Sequence, residues 1–165
     1  MKNSNYKEKT AQLKNLLSPS LNDTVDLVIP LHIYYKNMMQ EVKEFLEERY
    51  ELNKSELNLL VALSTATDNL GTLAPTELYE DLVFSSGGMT KLLKKLELKE
   101  YIIRIENPKD KRSKLVKITT KGEKLAIEAI NDVMKIESQY FSNLTNIEKE
   151  TLLTVFQKLA LKKRA

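Results

Sequence analysis

The chain has 165 residues and a formal net charge of +3, and its 42% hydrophobic and 30% charged residues are typical of a folded globular protein rather than a disordered one. It contains no cysteine, which excludes disulfides, thiolate nucleophiles, cysteine-ligated zinc and thiol redox switches. The N-terminal stretch lacks the apolar core of a secretory signal, and no apolar run is long enough to span a membrane, so we expect a cytoplasmic protein.

The first third of the chain is predicted to be helical. A short helix covers Tyr6 to Leu17 and ends at Ser18-Pro19-Ser20. A longer helix runs from Asp23 to about Tyr50, because an aspartate suits the positive end of a helix dipole. Pro30 lies inside this second helix and should either kink it or restart it.

Two short helices are predicted next. Asn53 is a helix N-cap with an acid, Glu56, three residues later, which is the pattern of a capping box. The apolar face that follows consists of Leu57, Leu60, Val61 and Leu63. Pro75 suits the first turn of another helix, which extends to Val83.

A basic helix follows, and it begins with two glycines. Ser85 or Ser86 can cap it. One apolar stripe at helical spacing should pack inward: Met89, Leu92, Leu93 and Leu96. The outward positions are Gly87, Gly88, Thr90, Lys91, Lys94 and Lys95. Each glycine in a first turn lowers helix stability by roughly 1 kcal/mol relative to alanine. We infer that the glycines instead allow the backbone to come close to a ligand surface.

Two strand-forming runs, residues 101–105 and 114–119, flank a turn-forming loop at 106–113. Three helices, a strand, a hairpin loop and a second strand are the order of a winged helix-turn-helix. A plain surface turn predicts no particular charge, whereas four of the seven residues from Pro108 to Lys114 are cationic.

The charge is concentrated in this segment. Residues 85–122 include 11 basic and 4 acidic residues, which gives a net charge of +7. The rest of the chain has 15 basic and 19 acidic residues, which gives a net charge of −4. Such a segment on an acidic body indicates a polyanion-binding surface. A solvated helix face is the alternative explanation for a lysine run.

Two more helices close the chain. Thr120 and Glu123 form a capping pattern before a long helix, and Thr145 and Glu148 repeat it before the last one. The apolar positions of these helices are Ile127, Ile130, Val133, Met134, Tyr140, Leu152, Val155, Phe156 and Leu159. This is more apolar surface than a small winged domain can cover, so we expect a two-fold dimer; a longer monomeric core is the alternative.

Nothing in the sequence favours an enzyme. His32 is the one histidine, which without cysteine cannot form the usual structural zinc site. No nucleophile motif is present, and Gly87-Gly88 lacks the spacing of a phosphate-binding loop. We therefore expect no catalytic residues, metal or cofactor.

The run SSGGMTKLLKKLELKEYIIRIENPKDKRSKLVKITTKGEKL, Ser85 to Leu125, resembles regulators of the MarR (multiple antibiotic resistance regulator) family. Asp110-Lys111-Arg112 is similar to the family's Asp-x-Arg wing element, and Thr119 to Gly122 to its threonine-rich turn. Glu100 departs from the glycine that often ends the recognition helix, so we expect Glu100 to adopt a left-handed conformation.

The resemblance implies a mainly α fold with a small β-hairpin. It implies dimerisation helices at 1–50 and 122–165, around a winged helix-turn-helix DNA-binding domain at 51–121. The expected partners are double-stranded DNA and a second copy of the chain. Arg112 would enter the minor groove, and Asp110 would orient it. The candidate DNA-binding residues are Ser85, Ser86, Gly87, Gly88, Thr90, Lys91, Lys94, Lys95, Lys109, Asp110, Lys111, Arg112 and Lys114.

The expected function is a sequence-specific DNA-binding repressor that a small molecule releases. Family effectors are often aromatic and bind between the dimer helices and the winged domain, which makes His32, Tyr35, Met38 and Met39 candidates, although core packing explains them as well. A winged-helix module that binds an acidic protein partner is the second interpretation.

Overall fold

The computed structural model of the protein describes residues 3–66, 71–82, 86–108 and 112–161. Across these residues the chain forms seven α-helices, one 3-10 turn and three short strands. In chain order they are α1 (Asn3–Leu16), the 3-10 turn (Pro19–Leu21), α2 (Asn22–Tyr50), α3 (Lys54–Ser64), β1 (Thr72–Leu73), α4 (Pro75–Leu82), α5 (Ser86–Leu98), β2 (Ile102–Glu106), β3 (Lys114–Ile118), α6 (Thr120–Gln139) and α7 (Asn146–Ala160).

These residues form two compact units, within 1–41 and within 42–165. In the first unit, Lys14 Nζ on α1 lies 2.5 Å from Asp26 Oδ2 on α2. Pro30 does not restart α2, because the helix is continuous across it. The predicted domain boundaries after residues 50 and 121 stay predictions.

A three-stranded antiparallel sheet lies in the second unit, in the order β1-β3-β2. The predicted hairpin is β2 and β3, with Ile102 opposite Ile118. The prediction of a two-stranded hairpin was incomplete, because Thr72 and Leu73 pair with the other edge of β3. Gly71 enters β1 with φ +60, a conformation that glycine adopts without strain.

The core of this unit is formed by the end of α2, α3, α4, α5, α6 and the inner face of the sheet. The predicted stripe of α5 is confirmed, since Met89, Leu92, Leu93 and Leu96 are all buried. On α3 the predicted face was partly wrong, because Val61 is half-buried and Leu59 is fully buried. α3 contacts α6, α4 and β3, so a wider arc of its surface faces the core than one stripe supplies.

Both capping boxes are confirmed, at Asn53 with Glu56 and at Thr145 with Glu148. The N-cap of α6 is Thr119 and not the predicted Thr120. The Thr119 hydroxyl accepts a hydrogen bond from the Gly122 N–H at 3.0 Å and lies 2.8 Å from the Glu100 carbonyl, to which it can donate. Contact with the residues that follow α5 thus selects one of two adjacent threonines.

Tyr50 ties the end of α2 to α6 within the second unit. Its hydroxyl donates to Asp132 Oδ2 at 2.7 Å, and Lys135 Nζ donates to Asp132 Oδ1 at 2.8 Å. Burial raises the pKa of Tyr50, and the hydrogen bond to Asp132 raises it further. The pKa of Asp132 is lowered, first by the hydrogen bond from Lys135 and then by that from Tyr50.

Candidate nucleic-acid interface

Helix α5 is amphipathic, and its outer face is basic. The residues of this outer face are exposed: Gly88, Thr90, Lys91, Lys94 and Lys95. Within the part of the chain that the structure describes, neither Lys91 nor Lys94 has an ion-pair partner. Two ammonium groups therefore stand in solvent on one face of a helix whose opposite face is held in the core.

The first turn of α5 holds the two predicted glycines. The helix begins at Ser86, so Gly87 and Gly88 are helical. Ser85 lies outside the described residues, and so does any capping role that it has. A turn without side chains at two positions lets another surface come close to the backbone.

Lys95 differs from the other two lysines of the outer face. Its Nζ lies 2.5 Å from Glu56 Oε1 on α3. The side chain of Glu56 is 1% exposed, whereas that of Lys95 is 49% exposed. Sequence reasoning grouped Lys95 with the exposed lysines, because no local pattern connects it to a residue 39 positions earlier. The structure gives Lys95 an internal partner.

The wing consists of β2, β3 and the residues between them. Arg112 and Lys114 are exposed there. Lys109, Asp110 and Lys111 lie outside the described residues. At the base of the wing the Asn107 amide donates to the Ser113 hydroxyl at 2.8 Å, which closes the loop. This bond was missed at the level of sequence, where an asparagine before proline signals only a turn.

A tight junction connects the wing to α6. Gly122 packs so closely on the residue before β2 that a Cβ there would lie 2.1 Å from the Tyr101 carbonyl oxygen. Lys121 Nζ lies 5.2 Å from the centroid of the Tyr101 ring and 3.0 Å from the Lys99 carbonyl oxygen, to which it donates. The Cβ of any larger residue at 122 would collide with the Tyr101 backbone. The close contact at Gly122 therefore fixes the wing relative to the start of α6.

The candidate effector residues lie on α2. His32 and Tyr35 are exposed, whereas Met38 and Met39 are half-buried. Among the described residues there is no group of three potential metal ligands. No helix in the described ranges is both long and apolar enough to cross a bilayer.

Comparison with known proteins supplies the family. Residues 41–130 match the family of the transcriptional regulators SarA/Rot. The multiple antibiotic resistance protein MarR of Escherichia coli is 28% identical over 145 residues, which are 85% of this chain and 97% of that protein. A cysteine-to-serine mutant of E. coli MarR complexed with operator DNA has a TM-score of 0.69 at 26% identity, covering 84% of this chain and 96% of that one.

A more distant structure has the same fold. It is that of BpsR from Bordetella bronchiseptica, a protein whose DNA binding is regulated by 6-hydroxynicotinic acid, with a TM-score of 0.67 at 16% identity. The match covers 81% of this chain and 91% of BpsR.

The family match spans more than half of the chain and includes α3, α4, α5 and the whole wing. The expected mainly α winged fold and the resemblance to MarR are both confirmed. Family and fold are those of transcriptional regulators and not of enzymes. The chain belongs to the SarA/Rot transcriptional regulators, a family of DNA-binding winged helix-turn-helix proteins of the MarR type.

Proposed function

We propose that the chain binds a two-fold DNA operator as a homodimer, represses transcription there, and is released by a small aromatic molecule. The observation that carries the DNA-binding part is the outer face of α5. Its apolar stripe is buried, so packing fixes the orientation of α5 and keeps the exposed glycine and lysines on the solvent side. A major groove admits one α-helix, and its phosphates attract lysines.

The wing supplies the second contact. Arg112 is exposed at the wing. A guanidinium group is weakly hydrated, and the narrow minor groove of A/T-rich DNA has the most negative potential on a duplex. Arg112 therefore reads the shape of the DNA beside the groove that α5 enters, while Lys109, Lys111 and Lys114 hold phosphates.

The homodimer part is supported by α7. None of its 15 residues is buried, although Leu153, Val155, Phe156 and Leu159 are large and apolar. An isolated helix of about 15 residues is marginal in water even with good sequence propensity. A second copy of the chain would cover this face, and a two-fold axis would set two recognition helices on half-sites about one DNA turn apart.

The effector part of the proposal concerns α2. BpsR responds to an aromatic acid, and α2 of this chain carries the exposed aromatic rings of His32 and Tyr35. We propose that these two residues, with Met38 and Met39, contact such a molecule. Replacement of Tyr35 with alanine should raise the effector concentration needed for release without changing operator affinity in its absence.

Selection of bound sequences from a random duplex pool tests DNA recognition. We expect an enriched site with two-fold symmetry. On that site Arg112→Ala should weaken binding by roughly 1–3 kcal/mol and flatten the preference for A/T-rich flanks. Lys158→Ala on α7 is the matched control, since it removes one exposed cation far along the chain from the wing and on the helix face opposite Phe156.

An unenriched pool, or an Arg112→Ala variant that binds as the parent does, would contradict the proposal. In that case the basic face is better explained as a docking surface for an acidic protein. The same variants, titrated against an acidic polypeptide, would then show the loss of affinity that the duplex does not.

A further inference from the structure

The carboxylate of Glu56 has two partners on different elements. Its Oε2 accepts the Asn53 N–H at 3.0 Å, which completes the capping box of α3. Its Oε1 lies 2.5 Å from Lys95 Nζ, in the second half of α5, and this contact is an ion pair whose angles are not those of a hydrogen bond. One acid therefore connects the start of α3 with the helix proposed to enter the major groove.

The burial of this acid makes the connection costly to break. With Lys95 in place only 1% of the Glu56 side chain is exposed, so the carboxylate is largely desolvated and its charge is compensated by the Lys95 ammonium. A buried carboxylate that loses its cation keeps the full cost of desolvation, which is why breaking such a pair destabilises far more than breaking a surface pair. Lys95 can approach a DNA phosphate only by leaving that carboxylate uncompensated.

The other lysines of the outer face have no such restraint. Lys91 and Lys94 are exposed, with no ion-pair partner among the described residues. Each is available to replace a counterion on a phosphate, whereas Lys95 is already neutralised.

We propose that Glu56 is a positioning residue for DNA recognition, which holds Lys95 to the protein so that α5 presents Lys91 and Lys94 to the phosphates. The inference rests on the proposed DNA binding. Its consequence is weaker sequence-independent binding: a phosphate contact strengthens binding to any sequence, so withholding one cation lowers affinity for random DNA and for the operator alike, and base contacts supply a larger share of operator affinity.

Four variants test this role through the salt dependence of binding. Lys95→Met and Lys94→Met each remove one ammonium and keep an unbranched side chain. Glu56→Gln removes the charge while its amide oxygen can still accept the Asn53 N–H. The double variant Glu56→Gln/Lys95→Met removes both charges and so leaves no buried charge unpaired. Affinity for the selected operator and for a random duplex is measured between 50 and 200 mM salt.

The slope of log affinity against log salt concentration separates contact from positioning. Lys94→Met should make the slope shallower by about 0.9, the value for one phosphate contact. Lys95→Met should leave it unchanged. Glu56→Gln should make the slope on random duplex steeper by about 0.9 as Lys95 is released, so that its affinity relative to the parent is about 3.5-fold higher at 50 mM than at 200 mM salt. The double variant should return the slope to that of the parent.

A loss of fold alone changes the melting temperature and affinity but does not produce this pattern of slopes. A fall of about 0.9 in Lys95→Met, equal to that in Lys94→Met, would make Lys95 a phosphate contact and overturn the inference. If Lys95→Met does not fold, a double variant with the same slope as Glu56→Gln overturns it equally. If the parent protein binds the selected operator no more tightly than random DNA, the proposed function itself is wrong, and this outcome is distinct from a failure of the Glu56 inference.

Discussion

Two glutamates have left-handed backbones, Glu51 with φ 51 and Glu100 with φ 60. For a residue with a Cβ this conformation costs roughly 1–2 kcal/mol. Glu100 lies where α5 turns into β2, and its N–H donates to the Glu97 carbonyl at 3.0 Å. The left-handed conformation expected from the missing glycine is therefore present, and the turn is made at a local cost that glycine avoids.

Glu100→Gly should raise the free energy of unfolding by about 1 kcal/mol, because glycine adopts this φ without strain. The ion pair lost with Lys121 is exposed on both sides and offsets little of the gain. Urea denaturation measures the difference. Glu97→Gly, in the right-handed helix just before, is the control and should lower stability by about 1 kcal/mol. Equal losses from both substitutions would contradict the strain argument.

Asp132 gives a pH-dependent prediction at the same scale. Its pKa is lower in the folded protein, first through Lys135 and then through Tyr50. A carboxyl with a lowered pKa stabilises the fold fully above its unfolded pKa of about 3.9, and this stability is lost as the pH falls through the folded pKa. Asp132→Asn should therefore be less stable than the parent at pH 7.

The difference between parent and Asp132→Asn should shrink steadily below about pH 4, when measured by urea denaturation from pH 7 to pH 2. Tyr50→Phe removes only the second donor and should show a smaller loss of about 1 kcal/mol at pH 7. A parent-to-Asn difference that stays constant down to pH 2 would mean that Asp132 is not stabilised as a carboxylate.

At the scale of elements, α5 has to be both a packed helix and a surface for DNA. Its buried stripe was predictable because it depends on helical spacing alone. Its glycines oppose helix formation, and we expect that they are kept for close approach. Stability and DNA affinity should then change in opposite directions when the glycines are replaced.

Replacing Gly87 and Gly88 together with alanine should raise helix stability by roughly 1–2 kcal/mol while weakening operator binding. Thermal unfolding and duplex titration measure the two effects on the same preparation. Asn58→Ala, exposed on α3, is the control that should stabilise a helix and leave DNA binding unchanged. A double variant that binds its operator as tightly as the parent would remove the close-approach argument.

The features that sequence could not predict depend on distant partners. β1 is two residues long and has no periodicity to detect, and it exists because β3 offers a free edge. The choice of Thr119 over Thr120 as N-cap is made by the residues that follow α5. The pairing of Lys95 with Glu56 joins two helices through one buried atom. Local rules, by contrast, were enough for both capping boxes, and the resemblance to the MarR family was enough for the left-handed Glu100.

At the scale of the whole molecule, the chain presents apolar surface at both ends. On α1, the 3-10 turn and α2 the exposed apolar side chains are Leu16, Leu21, Leu27 and Leu31, and α7 has its own set. Scattered apolar residues are normal on a surface, but α7 has no buried residue among the parts of the chain that the structure describes, and an isolated helix of this length is marginal in water. We therefore expect assembly and folding of α7 to be linked.

Sedimentation should give about twice the chain mass of 19.0 kDa. Phe156→Asp should shift the protein towards the monomer, because it places a charge in the centre of the apolar face of α7. Thr154→Asp is the control, since helical geometry puts residue 154 on the opposite face. A folded parent that stays at the monomer mass at every concentration would exclude the two-fold arrangement.

The central strand of the sheet is also the last to be synthesised. Thr72 pairs with Lys117, and Ile102 pairs with Ile118, so both outer strands depend on β3. Local helices form quickly, whereas closing a long loop comes later. While the chain is on the ribosome, α4 and α5 therefore emerge before any sheet can support them. A nascent chain that pauses before residue 114 would present Ile102 and the inner face of α5 to chaperones.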